Sequence, residues 1–180
     1  MPRVSQEQAK LNRQRVVEVA AALFRERGIH GVGVADIMAA AGLTHGGFYG
    51  QFTNKDALAV EAFDAALAEE YRGTQHALVS NYLSLGHVRT PGKGCPLAAL
   101  ANDVAREPSG SAVRSRFTQG VRHLAGLLAD LIPKASRERR RQRSLAHLST
   151  LVGAVVLARA VDDEVLANDL IEAARDAVTK

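Results

Sequence analysis

Between Thr44 and Lys55 the chain gathers hydrogen-bonding side chains at short spacing: Thr44, His45, Tyr49, Gln51 and Lys55, with Gly46 and Gly50 among them. Hydroxyl, phenol and ammonium groups can donate to phosphate oxygens, and imidazole and carboxamide groups can address the edges of bases. A second centre is Cys95 in the run Gly94-Cys95-Pro96-Leu97. Pro96 suits the first position of a helix, and a thiol at a helix amino terminus is biased toward thiolate. Cys95 reads either as an effector or redox sensor or as a small residue packed beneath a loop. A thiol enzyme finds no support, because there is no second Cys, no orienting His and carboxylate at recognisable spacing, and no phosphate loop. Catalytic residues, a metal site and a cofactor are therefore not expected.

These groups need elements to hold them, and the apolar periodicity is helical throughout. From Gln6 to Arg27, Val16, Val17, Ala20, Leu23 and Phe24 recur at helical spacing and Gly28 stops the pattern. Val34, Ile37, Met38 and Ala41 predict a short second helix ending at Gly42, and Thr44 predicts the cap of a third running to about Gln51. Thr53 or Asn54 then caps a long helix over Ala57 to Leu85. Gly86 to Gly94 and Glu107 to Ser111 read as loops around Pro91 and Pro108. Helices follow over Pro96 to Arg106 and Ala112 to Ile132. Pro133 and the run Arg137, Glu138, Arg139, Arg140, Arg141, Arg143 read as a break, the arginines being a solvated face. Two last helices, Leu145 to Val161 and Val165 to Val178, are split by Asp162 and Asp163.

The composition agrees with an all-α protein: 180 residues, 47% hydrophobic, 4% aromatic and rich in Ala and Leu. A formal net charge of +4 suits a polyanionic partner. One Cys excludes an internal disulfide. Met1 to Lys10 is polar, and the most apolar window, Leu145 to Val161, is broken by His147, Ser149, Thr150, Gly153 and Arg159. A cytoplasmic protein with no membrane partner is expected.

A first helix, a glycine turn and a second helix are the parts of a helix-turn-helix, and residues 33 to 53 supply all three. The run Val34 to Leu58, VADIMAAAGLTHGGFYGQFTNKDAL, resembles the signature of the tetracycline-repressor family, and the likeness extends back through the helix Arg13 to Gly31. The resemblance implies a three-helix DNA-binding head over residues 1–55 and a helical ligand-binding and dimerisation bundle over 56–180. It implies Thr44, Tyr49 and Lys55 on phosphates, His45 and Gly46 facing bases, Phe48 and Phe52 in the core, and Arg3, Lys10, Arg13 and Arg15 able to reach the DNA backbone. Gln51 is a further candidate for a base edge. Gly50, Gln51 and Thr53 depart from the commoner pattern.

The stripe Leu145, Leu148, Leu151, Val152, Val155 and Val156, beside small Gly153 and Ala154, is too apolar for an open helix face. The family's answer is a homodimer through a four-helix bundle, with Leu148, Leu151, Val152, Val155, Leu166 and Leu170 at the interface; an intramolecular core is the alternative. The family also implies a pocket for a small-molecule effector, for which His76, Tyr82, Phe117 and His123 are weak candidates. The Gly-Cys start at Cys95 is similar to a subgroup in which some members sense electrophiles or oxidants. The expectation is a repressor that binds double-stranded, near-palindromic operator DNA and is released by a small-molecule or electrophilic effector.

Overall fold

A computed structural model of the chain describes residues 5–70, 77–132 and 135–179, and within these the regular structure is helical. Helix α1 spans Gln6–Arg27. It begins where Ser5 accepts the Gln8 amide at 3.1 Å and ends where the Gly28 amide returns to the Phe24 carbonyl at 2.8 Å. Its inner face buries Val16, Ala20, Ala21 and Phe24, as the periodicity predicts. Helix α2 is Val34–Ala40 and α3 is Lys55–Glu70. Then come α4 (Leu78–Tyr82), α5 (Leu85–Arg89), α6 (Pro96–Arg106), α7 (Ala112–Asp130), α8 (Arg137–Ala160) and α9 (Glu164–Thr179). Helix α3 lies between α1 and α7, α6 bridges α1 to α7 and α8, and α8 pairs with α9 across a three-residue link. Among the described residues no helix is long and apolar enough to cross a membrane.

Three boundaries differ from those expected. The long helix predicted over 57–85 ends at Glu70 in its described part, residues 71–76 with His76 lie outside the described residues, and the backbone leaves helix at Leu83 (ψ 70°). Ser84 then restarts it by accepting the His87 amide at 3.2 Å, so that α5 occupies part of the predicted loop from Gly86 to Gly94. The arginine run is helix rather than a break: Ser136 accepts the Arg139 amide at 3.3 Å, and arginine propagates a helix well. As a solvated face it is as predicted, since all five arginines are exposed.

The apolar stripe of α8 divides in two. Leu151 and Val155 are 0% exposed and Leu148 is buried, so these three form the chain's own core and are removed from the expected dimer surface. The period of 3.6 points them inward while Val152 and Leu170 stay half-buried and Leu157 (53%), Val165 (71%) and Leu166 (45%) face out.

Helix α1 is joined to α3, α6 and the turn ahead of α6 by polar groups that the periodicity does not reveal. Arg25, on the buried face of α1, donates to the Gly94 carbonyl at 2.9 Å, to Glu69 of α3 at 3.2 Å and to the Ala21 carbonyl at 3.0 Å. The next amide, Cys95, donates to His87 Nε2 at 2.9 Å, while His87 Nδ1 donates to the Tyr82 carbonyl at 2.7 Å. An amide can only donate and a carbonyl can only accept, so this imidazole is neutral with its proton on Nδ1. Arg159 of α8 closes the group by donating to the His87 carbonyl at 2.8 Å. Gly94 sits so tightly here that a Cβ would lie 2.5 Å from His87 Nε2 and 2.7 Å from Arg159 Nη2. At the far end of α1, Asp103 of α6 accepts the Ile29 amide at 2.6 Å.

Burial lowers the His87 pKa below its ordinary 6.5, outweighing the Tyr82 hydrogen bond, and the nearby Arg159 and Arg25 charges lower it further. The unfolded chain therefore takes up a proton near pH 6.5 that the folded chain refuses, so stability is highest above that pH and falls as acid is added. His147, also lowered by burial, acts in the same direction. The melting temperature should drop between pH 7.5 and pH 5.5, and His87→Gln should shrink that drop; an equal drop in the variant would remove His87 as its source. Gly94→Ala should cost about 1–3 kcal/mol in a denaturant titration, because the new methyl forces the ring and guanidinium apart.

Candidate nucleic-acid interface

The polar cluster of 44–55 sits on a segment held from beneath by two aromatic rings. Gly42 adopts φ +72°, a left-handed conformation that closes α2, with the Leu43 amide returning to the Met38 carbonyl at 2.9 Å. The chain then runs extended through Thr44 into a single 3-10 turn, His45–Gly47. The full third helix predicted from Thr44 to Gln51 is thus absent, and Thr44 makes no capping bond. Gly46, Gly47 and Gly50 explain this, because three glycines in five residues leave little propensity to propagate an α-helix.

What the segment lacks in helix it gains in anchoring. Phe48 and Phe52 are buried, as expected, and stack at 5.4 Å between ring centroids. The Gln51 and Phe52 amides both return to the Phe48 carbonyl, at 2.9 and 3.0 Å. Arg13 covers the Phe52 ring at 4.6 Å and makes two hydrogen bonds of 2.6 Å to Glu61, which raise its pKa. Its fork is therefore committed to joining α1 to α3 rather than extended toward a phosphate as the resemblance implied. Lys10 and Arg15 remain exposed on α1, and Arg3 lies outside the described residues.

Above this base the structure presents Thr44, His45, Gly46 and Tyr49 together on the surface, Tyr49 being 67% exposed. The Tyr49 ring meets His45 edge-on at 5.9 Å and Phe48 at 5.3 Å, so two exposed rings are braced on a buried one. Lys55 is half-buried at the first position of α3, whose cap is Asn54: its Oδ1 accepts the Ala57 amide at 2.8 Å. Gln51 stands apart from the cluster. It is half-buried, and its Oε1 is buried with no hydrogen-bond partner among the described residues, so the carboxamide oxygen faces inward rather than toward a base.

Of the other candidates, Cys95 is 0% exposed, forming the turn into α6 ahead of Pro96. Tyr82 is buried beside His87, Phe117 is half-buried against Phe63 at 5.9 Å, and His123 is exposed. These residues do not converge on one cavity. Glu61, Asn54, Asp103, Arg25 and His87 hold this segment and its support, and of these only Asn54 is among the sequence candidates, as a helix cap. Asn54 carries a local signal, as one of two capping residues; the partners that Glu61, Asp103 and Arg25 find on other elements lie 44 or more positions away, and those of His87 lie in a turn.

Residues 16–62 match the family described as bacterial regulatory proteins, tetR family. The chain is 29% identical over 169 residues, 82% of its length and 84% of the relative's, to an uncharacterised HTH-type transcriptional regulator of Mycobacterium tuberculosis. Its fold is similar to that of a TetR transcriptional regulator from Chloroflexus aurantiacus, at TM-score 0.71 and 25% identity over 96% of this chain and 94% of that one. It is also similar to the reduced form of NemR from E. coli, at TM-score 0.73 and 19% identity, covering 93% and 94% of the two chains.

The anchoring predicts a sharp contrast between neighbours. Phe48→Ala should destabilise the protein by about 3–5 kcal/mol, whereas Tyr49→Ala, an exposed site, should change stability by about 0.5 kcal/mol or less. Urea unfolding of both variants checks this, and a large loss at Tyr49 would mean that its ring is part of the core.

Proposed function

We propose that this chain, whose residues 16–62 match the tetR family of bacterial regulatory proteins, is a transcriptional repressor of that family that grips near-palindromic operator DNA as a homodimer and releases it when a small molecule binds the helical body. The observation that carries the DNA reading is the presentation of Thr44, His45, Gly46 and Tyr49 on one surface over the Phe48 and Phe52 anchor. Thr44, Tyr49 and Lys55 contact phosphates and set the register; His45 and the bare backbone at Gly46 meet base edges. Gln51 joins them only if its side chain turns outward on DNA. The action is cytoplasmic, where operator DNA lies, and no catalytic step belongs to it.

The dimer reading rests on the outward part of the α8–α9 pair: Val152, Leu166 and Leu170 of the expected set, joined by Leu157 and Val165. Each head then addresses one half-site, with the two about one DNA turn, roughly 34 Å, apart. Release follows from the joints described above. Helix α6 holds the end of α1 through Asp103 and Ile29, and the Gly94 carbonyl holds Arg25, so a ligand that moves α6 moves the head. Complete burial of Cys95 favours a non-covalent effector, since a buried thiol reacts slowly. An electrophile would need the α5–α6 connection to open first.

Solution mass and a footprint test the core of this reading: a dimer protecting two half-sites is expected, and a monomer protecting one short site would refute it. Tyr49→Ala and Lys55→Ala should each weaken binding to operator and scrambled duplex alike, by about tenfold, while His45→Ala should change which operator is preferred. For Cys95, iodoacetamide labelling of native protein should be far slower than of denatured protein; equal rates would restore the thiol as the sensor.

A further inference from the structure

We propose that the groove between α7 and the amino-terminal turns of α8 is a binding site for a soluble amphipathic anion, a molecule with one carboxylate-type head and an unbranched apolar tail. The groove holds about 400 Å³, within the range that accommodates a single small molecule. Its floor is apolar: Val121, Ala125 and Ala129 recur every four residues along α7 and face Leu145 of α8. Gly126 widens it, for a Cβ at that position would meet nothing within 4 Å. Its rim is basic. Arg122 of α7 and Arg137, Arg140 and Arg141 of α8 line it, against a single carboxylate, Asp130.

The arginines make this more than a gap between helices. Among the described residues none of the four forms an ion pair, although Arg13, Arg25, Arg89, Arg106 and Arg116 all do. Like charges held close on one helix repel, and a bound anion relieves that repulsion. The amino terminus of α8, a helix of 24 residues capped by Ser136, adds its positive end to the same rim. A polyanion such as DNA would use the guanidinium groups and leave the floor unfilled; a docked protein helix would need about 800 Å² of surface, more than a groove of this size supplies. A head for the rim and a tail for the floor use both halves. The site stands independently of the operator reading, being formed wholly by α7 and α8.

Decanoate, kept below its micelle-forming concentration, is the probe, titrated calorimetrically into the full chain. One decanoate per chain is expected. Octanoate should bind more weakly, by up to about fourfold for each methylene that the groove fully buries, and decyltrimethylammonium should not bind. Gly126→Leu fills the floor at an exposed helical position where a side chain improves helix propensity, so it should melt no lower than the parent while binding decanoate at least tenfold more weakly. Arg140→Gln with Arg141→Gln should weaken decanoate about tenfold and flatten its salt dependence. Unchanged decanoate binding in Gly126→Leu, equal binding of the cationic amphiphile, or association only with anionic vesicles would overturn the proposal. So would an arginine double variant that loses affinity for non-specific duplex DNA yet binds decanoate as before.

Discussion

A charged side chain sits where water cannot reach it, and the rest of the molecule is arranged around that fact. The Arg25 guanidinium is almost fully buried, and a buried cation is tolerated only when its donors are matched. The matching acceptors come from three places: the Ala21 carbonyl one turn back on α1, Glu69 at the end of α3, and the Gly94 carbonyl, whose neighbouring Cys95 amide is in turn held by the neutral His87 ring. Displacing any of them leaves a donor or acceptor unsatisfied in the interior, so α1, α3 and the turn into α6 share one polar joint. Gly94 lacks a side chain because the ring and the Arg159 guanidinium already occupy that space.

Much of this molecule is legible in the order of its residues. Helix α1 spans the residues over which the apolar period runs and ends at the Gly28 stop, and α6 starts at Pro96 as a proline at the first helical position requires. Thr44, His45, Gly46 and Tyr49 are exposed over buried Phe48 and Phe52, an arrangement that the family resemblance implies and that apolar periodicity alone does not supply. What was hidden are partnerships over long separations. Arg13 reads as a basic residue free to meet DNA until Glu61, 48 positions on, is found to accept both of its donors. The α8 stripe reads as one surface, yet Leu151 and Val155 turn inward and Leu157 outward, a division set by which helices pack alongside. The arginine run was mistaken for a break because the capping serine just ahead of it outweighs mutual repulsion of the charges.

The same competition between local and distant forces shapes the reading segment. Local propensity around Gly46, Gly47 and Gly50 resists helix, and the structure answers with one 3-10 turn and two ring anchors in place of a hydrogen-bonded cylinder. Position comes from the core below, not from the backbone of the segment itself.

That division has a thermodynamic consequence for recognition. Glycine carries the largest backbone entropy in the unordered chain, and a segment with three of them keeps soft degrees of freedom while its rings stay fixed. Stiffening it against a duplex therefore carries an entropic penalty that a rigid recognition helix of alanine and leucine would have met already during folding. On the DNA-binding reading proposed above, tight contact then depends on enthalpy gained at the duplex surface, so affinity should weaken on warming more steeply than for a preformed reader.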